Sequence, residues 1–299
     1  MSMTMTRVLS LHARRHASFV ALVVVSSLAF YNTLRSLIQL SVRDPSSSHI
    51  LLIPLVSFFL LYLERQTVFS KTGTNLGSGL SFVLGGIILY WFAHRGIFLE
   101  NGGWPLTLET IAVILVWIGG FLLCYGSVAL RAGTFPLLFL LLMVPLPAAV
   151  LDAVIHALQE GSTEIAYLIF QAVGIPVVRH GFLLSLPSVT IEVAEECSSI
   201  RSSIALFITC LLTAHLYIRT SWKVILLALL SVPLSVIKNG VRIATLTLLS
   251  IYVDPGFLTG NLHREGGFVF FLVALLILWP VFLWLVKSDK PRGSVNSAA

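Results

Sequence analysis

From Trp222 to Tyr252 the chain reads WKVILLALLSVPLSVIKNGVRIATLTLLSIY, a run that holds only three charged residues. As one α-helix it would be roughly 45 Å long, which exceeds the hydrocarbon thickness of a bilayer. Apolar runs recur along all 299 residues, of which 57% are hydrophobic and 11% charged. A soluble domain carries about a quarter charged residues. The sequence therefore predicts an all-α polytopic membrane protein.

Eight membrane spans are predicted from these runs. They cover about 17–40, 49–63, 77–94, 107–129, 134–151, 198–218, 222–252 and 267–286. The first run lacks a small-residue cleavage site and is interpreted as a retained span rather than a signal peptide. The predicted layout is a cytoplasmic tail (1–16), a single transmembrane domain (17–287) with an extracytoplasmic insert (152–196), and a cytoplasmic disordered tail (288–299).

Lysine and arginine residues are distributed unevenly between the predicted loops. With the N-terminus inside, the inner side holds 11 basic and two acidic residues, whereas the opposite side has a net charge of −3. The positive-inside rule then places both termini in the cytoplasm and residues 194–203 on the outer face. This topology accounts for the net charge of +6. The basic residues form no stripe, so no nucleic-acid partner is expected.

The predicted insert contains two segments with different sequence patterns. Residues 152–173 mix acids with apolar residues at helical spacing, which predicts an amphipathic helix at the membrane interface. Residues 177–193 are rich in β-branched side chains and are broken by Gly181 and Pro187. We expect a small β-ribbon there, delivering the chain to the start of the sixth span.

Residues 194–203 read AEECSSIRSS and contain the one cysteine, Cys197, that stands among charges and hydroxyls. A helix N-terminus and Arg201, one turn on, would stabilise its thiolate. The functional interpretation is a nucleophile with polar support from Glu196 and Ser198. The alternative is a helix start whose Glu and Ser residues cap free amides. Both interpretations remain open at this level.

The seventh span carries a second polar cluster. Lys238 and Arg242 lie four residues apart on one helix face, with Asn239 beside them and Gly240 permitting close approach of a neighbour. Ionisable groups inside spans are costly unless they are paired or wet, so these residues are functional candidates. For Lys238, snorkelling to the outer headgroups is the alternative.

A third cluster, GNLHREGG at 260–267, contains His263, a candidate general acid or base on the same membrane face. His215 follows Cys197 by 18 residues in the same helix, about 27 Å away, and is excluded as its partner. His180 is a weaker alternative base, and His49 is a candidate lining residue at the outer end of a span.

Cysteine, histidine and arginine together point to acyl transfer. The thiolate of Cys197 would attack a peptide carbonyl, His263 would protonate the leaving amine, and Arg242 would stabilise the oxyanion. Water or an amine would then resolve the thioester, and resolution by an amine would make the protein a transpeptidase. No metal and no cofactor is expected.

Several blocks in order resemble the exosortase/archaeosortase family of membrane transpeptidases. They are Ser48-His49 with the run to Pro54, FLLLMVPLP at 139–147, GIPV at 174–177, VAEECSSIRS at 193–202, NGVR at 239–242, and His263. The resemblance covers roughly 45–270. Its specific part is the order and spacing of the last three blocks.

The resemblance implies a catalytic site of Cys197, Arg242 and His263. Substrate-binding or supporting roles are expected for Glu196, Ser198, Arg201, Lys238, Asn239 and His49. The implied substrates are exported proteins with a C-terminal sorting signal, and the acceptor could be a surface polysaccharide or a lipid. The implied location is the bacterial inner membrane, with the lipid bilayer as a partner. The family commonly has glycine where this chain has Ser199, and we expect the small serine to preserve packing.

Two rival functions come from other classes. An intramembrane glutamate/histidine endopeptidase of the prenyl-protein protease type would need arginine at the position of Ile200. Arg201 comes one residue late, which rotates its side chain by about 100°. A small-anion transporter could use Lys238 and Arg242, but no paired repeat halves with broken helices are recognisable.

Overall fold

The structure is a computed structural model that describes residues 2–96, 102–194, 199–258 and 267–289. Its contacts divide the chain into two compact units, Met1–Leu151 and Asp152–Ala299.

The first unit is built around one long buried helix. Its helices are α1 (Ser2–Ala29), α2 (Tyr31–Arg43), α3 (Leu52–Leu63), α4 (Arg65–Val68), α5 (Leu76–His94), α6 (Trp104–Ala132) and α7 (Thr134–Phe139), with 3₁₀ turns at Pro45–Ser47 and Leu140–Met143. The central helix is α6, whose Val113, Phe121 and Ala129 are fully buried. Small residues allow this burial, because a Cβ atom at Gly119 would lie 2.8 Å from Val83 of α5 and one at Gly120 would lie 2.5 Å from Leu22 of α1.

A break in α6 shapes one end of the first unit. Gly126 has φ 81° and ψ 177° within the helix, a conformation open to glycine because it lacks a Cβ atom. The break frees the carbonyl of Tyr125, which accepts a hydrogen bond from the amide of Gly73 (3.0 Å). The connection between α4 and α5 is thereby fixed against α6.

The second unit combines helices with a small sheet. Its elements are α8 (Ala148–Ala172, which begins in the first unit), β1 (Val178–His180), β2 (Leu183–Ser185), β3 (Thr190–Glu192), α9 (Ile200–Tyr217), α10 (Ser221–Tyr252), a 3₁₀ turn at Pro255–Leu258, and α11 (Gly267–Lys287). The strands form an antiparallel meander in the order β1-β2-β3. The predicted helix and β-ribbon between 152 and 193 are thus confirmed as elements, with the helix starting earlier, at Ala148. The position of the helix at the membrane interface stays a prediction.

Two apolar clusters hold the second unit together. One joins α9, α10 and α11 through side chains that include Leu206, Leu227 and Leu278. The other packs the sheet, through Leu184 and Ile191, against α8 and α10. The second cluster places the strands beside the polar half of α10.

The helices bear out an all-α polytopic fold with six to eight spans. Among the described residues, six helical stretches are long and apolar enough to cross a bilayer: Pro45–Leu63, Leu76–His94, Trp104–Ala132, Ile200–Tyr217, Ser221–Tyr252 and Gly267–Lys287. The predicted first and fifth spans are not straight helices. They correspond to the bent pairs Ala13–Ala29 with Tyr31–Arg43 (78°) and Thr134–Met143 with Ala148–Ala172 (91°).

The two bends differ in their sequence signal. Pro145 and Pro147 stand at the second one, where proline removes an amide donor and clashes with the preceding turn. Phe30 marks the first, and neither proline nor glycine is present there. A straight helix was therefore the natural prediction for the first span.

Candidate functional site

The polar face of α10 is buried inside the second unit. Lys238 is 6% exposed and Asn239 is 1% exposed. A Cβ atom at Gly240 would lie 2.5 Å from Cβ of Ile165 and 3.0 Å from the carbonyl oxygen of Ser162, both in α8. Only glycine fits at this distance, so the predicted close approach at Gly240 is confirmed. It brings α8 within hydrogen-bonding reach of α10.

A chain of hydrogen bonds links α8, α9 and α10, and we call it the Ser199 network. Nη1 of Arg242 donates to Oγ of Ser199 (3.0 Å), which donates to Oδ1 of Asn239 (2.6 Å). Nδ2 of Asn239 donates to Oγ of Ser162 (3.0 Å), which donates to the carbonyl of Leu158 (2.6 Å). Arg242 is therefore held through a polar path that ends on the backbone of α8.

Ser199 adopts an unusual backbone conformation at the N-terminus of α9. Its φ is 58° and its ψ is 26°, and it is the one non-glycine residue with positive φ in the described ranges. This left-handed region costs an L-residue roughly 1–2 kcal/mol, whereas glycine adopts it freely. The structure thus gives a physical reason for glycine at this position, and it shows what serine adds, namely the hydroxyl that joins Arg242 to Asn239.

Lys238 has a hydroxyl as its partner. Its ammonium group donates to Oγ of Ser202, which donates to the carbonyl of Ser199 (3.0 Å). No carboxylate pairs with Lys238 in the part of the chain that the structure describes. A buried cation without a counter-ion is energetically unfavourable. Arg242 lies one turn away on the same helix face, so two cationic side chains are neighbours in this part of α10.

The chain is anchored on both sides of the tetrapeptide 195–198. Before it, Nε2 of Gln159 donates to the carbonyl of Val193, whose amide donates to the carbonyl of Phe182 (3.0 Å). After it comes Ser199, held by Asn239. The residues that flank the tetrapeptide are therefore held by hydrogen bonds from α8, from the β-ribbon and from α10.

The predicted site residues fall into three groups. Glu196, Cys197, Ser198 and His263 lie outside the described residues. Arg242, Lys238 and Asn239 are brought together. The structure does not bring the remaining two into the Ser199 network: Arg201 is exposed on α9, and His49 belongs to the first unit, where its Nδ1 lies 3.1 Å from the carbonyl oxygen of Ser46.

Two residues of the network, Ser199 and Ser162, were not among the predicted site residues. One indication for Ser199 was present in the sequence, because the family that the chain resembles commonly has glycine at this position. Ser162 carried none, because it lies 77 positions from Asn239 in a segment predicted as an interfacial helix.

The rival histidines are displaced from the network. His215 lies in the last turn of α9, at the opposite end from Ser199, about 24 Å along the axis. His180 lies in β1, where the neighbouring Arg179 pairs with Glu164. Within the described ranges, no group of three or more His, Cys, Asp or Glu residues is arranged to hold a metal ion.

A family model described as transmembrane exosortase (Exosortase_EpsH) matches residues 41–280, a range that contains the whole Ser199 network. No curated protein and no solved structure matches the chain.

Proposed function

The chain belongs to the transmembrane exosortase family, a family of membrane proteases and transpeptidases, and on that premise we propose that it cleaves C-terminal sorting signals with Cys197 as the nucleophile. Its substrates are exported proteins that end in a short motif, a membrane helix and a basic tail. The product acyl group passes to water or to an amine of a surface polysaccharide or lipid. Location in the bacterial inner membrane, with the site outside, belongs to the same proposal.

The observation that carries this proposal is the immobilised guanidinium of Arg242. Oxyanion stabilisation requires donors that are oriented before the reaction begins. Arg242 is bonded to Ser199, and two peptide units separate Ser199 from Cys197. Consecutive Cα atoms are 3.8 Å apart, so the Cα atom of Cys197 lies within roughly 7.6 Å of that of Ser199. Chain connectivity thus limits the separation of the two Cα atoms, and we propose that the thiol reaches the guanidinium within that limit.

The proposed reaction has two steps. First, the thiolate of Cys197 attacks the scissile carbonyl, the S–C bond forms, and the C–N bond breaks as His263 protonates the leaving amine. Arg242 stabilises the negative oxygen of the intermediate. Second, water or an amine attacks the thioester, loses a proton to His263 and releases the thiolate. Protons and bonds balance over the cycle.

Lys238 supports an additional anion-binding role in the same site. Its charge is desolvated and is met by the Ser202 hydroxyl rather than by a described carboxylate. An anionic group of the substrate close to the cleaved bond would supply a counter-charge. Lys238 would then contribute to the choice of substrate, while Arg242 acts on the reacting oxygen.

The decisive experiment removes the proposed nucleophile. Candidate sorting-signal proteins are co-expressed with wild type, Cys197→Ala or Cys124→Ala, and processing is followed by gel mobility and mass spectrometry of the new C-terminus. We expect no processing with Cys197→Ala and full processing with Cys124→Ala, whose thiol lies in α6 of the first unit. Processing that persists in Cys197→Ala contradicts the assignment.

The proposed orientation has its own test. A membrane-impermeant maleimide applied to intact spheroplasts should label Cys197, and Cys197→Ala should abolish the label. Labelling that requires permeabilised membranes would place the site on the cytoplasmic face and would overturn the topology, but not the chemistry.

A further inference from the structure

The first unit contains a groove that the proposed reaction does not use. It lies between α1 and α3, with α6 beneath, and its volume is about 460 Å³, within the range of roughly 300–1,000 Å³ typical of ligand sites. Most of its lining is aromatic: Phe19 from α1, Phe58 and Tyr62 from α3, Phe69, and Phe121 and Tyr125 from α6.

The floor of this groove is closely packed. Phe121 and Tyr125 are 0% and 2% exposed, and their rings are 4.8 Å apart. Phe19 meets Phe121 edge-on at 5.6 Å, and Phe69 packs on Tyr125 at 4.8 Å. Because the break at Gly126 ties the segment after Phe69 to α6, the floor is held in place from two directions. Such a preformed apolar surface suits a hydrocarbon chain.

One end of the groove is polar and positive. Nδ1 of His16 lies 2.8 Å from the hydroxyl of Tyr125. Arg65 is exposed, lies 4.3 Å above the ring of Tyr62 and donates to the Tyr62 carbonyl (2.8 Å). No carboxylate pairs with Arg65 in the parts of the chain that the structure describes. Its remaining donors are available at the open end of the groove.

The segments that supply these residues are basic. Arg14 and Arg15 adjoin His16, and Lys71 follows Phe69, whereas Glu64 is the single acid among them. Basic pockets between transmembrane helices bind anionic lipid headgroups. The basic tail of a sorting signal would be repelled from the same place, which argues against a substrate segment as the occupant.

We propose that this groove binds one phospholipid with an anionic headgroup. An acyl chain lies along Val20, Phe58 and Tyr62, whose side chains are exposed above the buried Phe121 and Tyr125, and the phosphate is held by Arg65 and His16. The binding needs no covalent step and is independent of the proposed transpeptidase chemistry, because it concerns residues of the first unit alone.

The test compares two lipids that differ only in headgroup. The full-length protein in a zwitterionic detergent is titrated with phosphatidylglycerol or phosphatidylcholine of identical acyl chains, and bound lipid is counted by native mass spectrometry. We expect one phosphatidylglycerol per chain, bound at least fivefold more tightly than phosphatidylcholine. Equal affinity for the two lipids would overturn the proposal.

Matched variants separate the two halves of the groove. Arg65→Gln should weaken phosphatidylglycerol binding about fivefold and phosphatidylcholine binding by less, because the choline cation already offsets the attraction of its phosphate to the guanidinium. Arg131→Gln removes the same charge from an exposed position in the last turn of α6 and should change binding less than twofold. An equal loss in both variants would mean diffuse attraction rather than a site. Phe58→Ala removes the ring from a side chain that is 72% exposed, so it leaves no buried cavity and adds no polar group. It should weaken both lipids alike; no effect would contradict the acyl-chain position.

Discussion

Helix α10 contains two buried lysines whose surroundings differ. Lys223, near its start, is 7% exposed, and Lys238, in its second half, is 6% exposed. Lys223 lies 3.4 Å from Oδ1 of Asp289 and 3.1 Å from Oγ of Ser288. Lys238 has the Ser202 hydroxyl instead. The same residue type, equally buried in one helix, meets a carboxylate at one end and a hydroxyl at the other.

The carboxylate makes the end at Lys223 a structural clamp. Asp289 also accepts from the amide of Arg219 (2.6 Å) and from the hydroxyl of Thr220, so it joins the end of α11 to the start of α10. Because the Lys223 ammonium is already paired with this carboxylate, it is not expected to bind an anionic ligand. Among the described residues no carboxylate pairs with Lys238, which is the condition expected of a lysine that binds an anionic ligand.

Among the variants of α10, the largest effect is expected at Arg242, the second cation beside Lys238. Arg242→Lys keeps the charge but loses the planar donor fork that reaches Ser199. Processing should fall about 100-fold, as for the loss of one oxyanion donor. The matched control is Arg179→Lys in the β-ribbon, where a partly exposed pair with Glu164 is worth little. Equal rates for the two variants would show that charge alone suffices at Arg242.

Exchanging each lysine for methionine tests the comparison directly. Lys238→Met should lower processing about tenfold or more while leaving the thermal unfolding midpoint unchanged or raised, because a buried charge that is met only by a hydroxyl is removed. Lys223→Met should lower the midpoint, since it deprives Asp289 of its cation, and should spare processing by the folded protein. If both variants lower the unfolding midpoint equally, Lys238 has a structural role like that of Lys223, and the proposed difference between the two lysines is wrong.

Two substitutions at Ser199 separate its hydroxyl from its backbone. Ser199→Ala keeps the cost of positive φ and Ser199→Gly removes it, but both lose the bonds to Arg242 and Asn239. Processing should drop about tenfold in both, because a hydrogen bond to a charged group is lost. Ser199→Gly should be about 1 kcal/mol more stable than Ser199→Ala in chemical unfolding. Full processing in Ser199→Gly would show that only the backbone matters.

The smallest effect is a pH dependence at the clamp. The hydrogen bond from Thr220, followed by that from the Arg219 amide and the charge of Lys223, holds the pKa of Asp289 below its usual value. The ionised carboxylate therefore stabilises the fold above its unfolded-state pKa of about 3.9, and this contribution is lost as pH falls through the lower folded-state pKa. Below about pH 4 the unfolding midpoint of wild type should fall more steeply than that of Asp289→Asn. Parallel curves from pH 7 to 3 would contradict this.

Much of the architecture was predictable because its signals are local. Apolar runs of about 20 residues indicate spans, and β-branched residues with Gly181 and Pro187 indicate the ribbon. The i, i+4 spacing of Lys238 and Arg242 is enough to place both on one face of α10. The bend at Phe30 was missed since no breaker residue marks it.

The candidate site was only half predictable, because its contacts join distant positions. The bond from Ser199 to Asn239 spans 40 positions, and that from Asn239 to Ser162 spans 77. Ser288 and Asp289, at the start of the predicted tail, meet Lys223 across more than 60 positions. No periodicity encodes such pairs.

The sequence by itself determined that this chain enters the membrane as helices, which family it resembles, and which residues carry unusual charge there, since composition and spacing along one helix set those properties. Only the tertiary structure decided that Lys223 meets a carboxylate and Lys238 a hydroxyl, and that Ser199 holds Arg242 from a left-handed backbone. The physical reason is that the energy of a charge in a low-dielectric interior depends mainly on its nearest partner. The packing of α8, α9, α10 and α11 selects that partner.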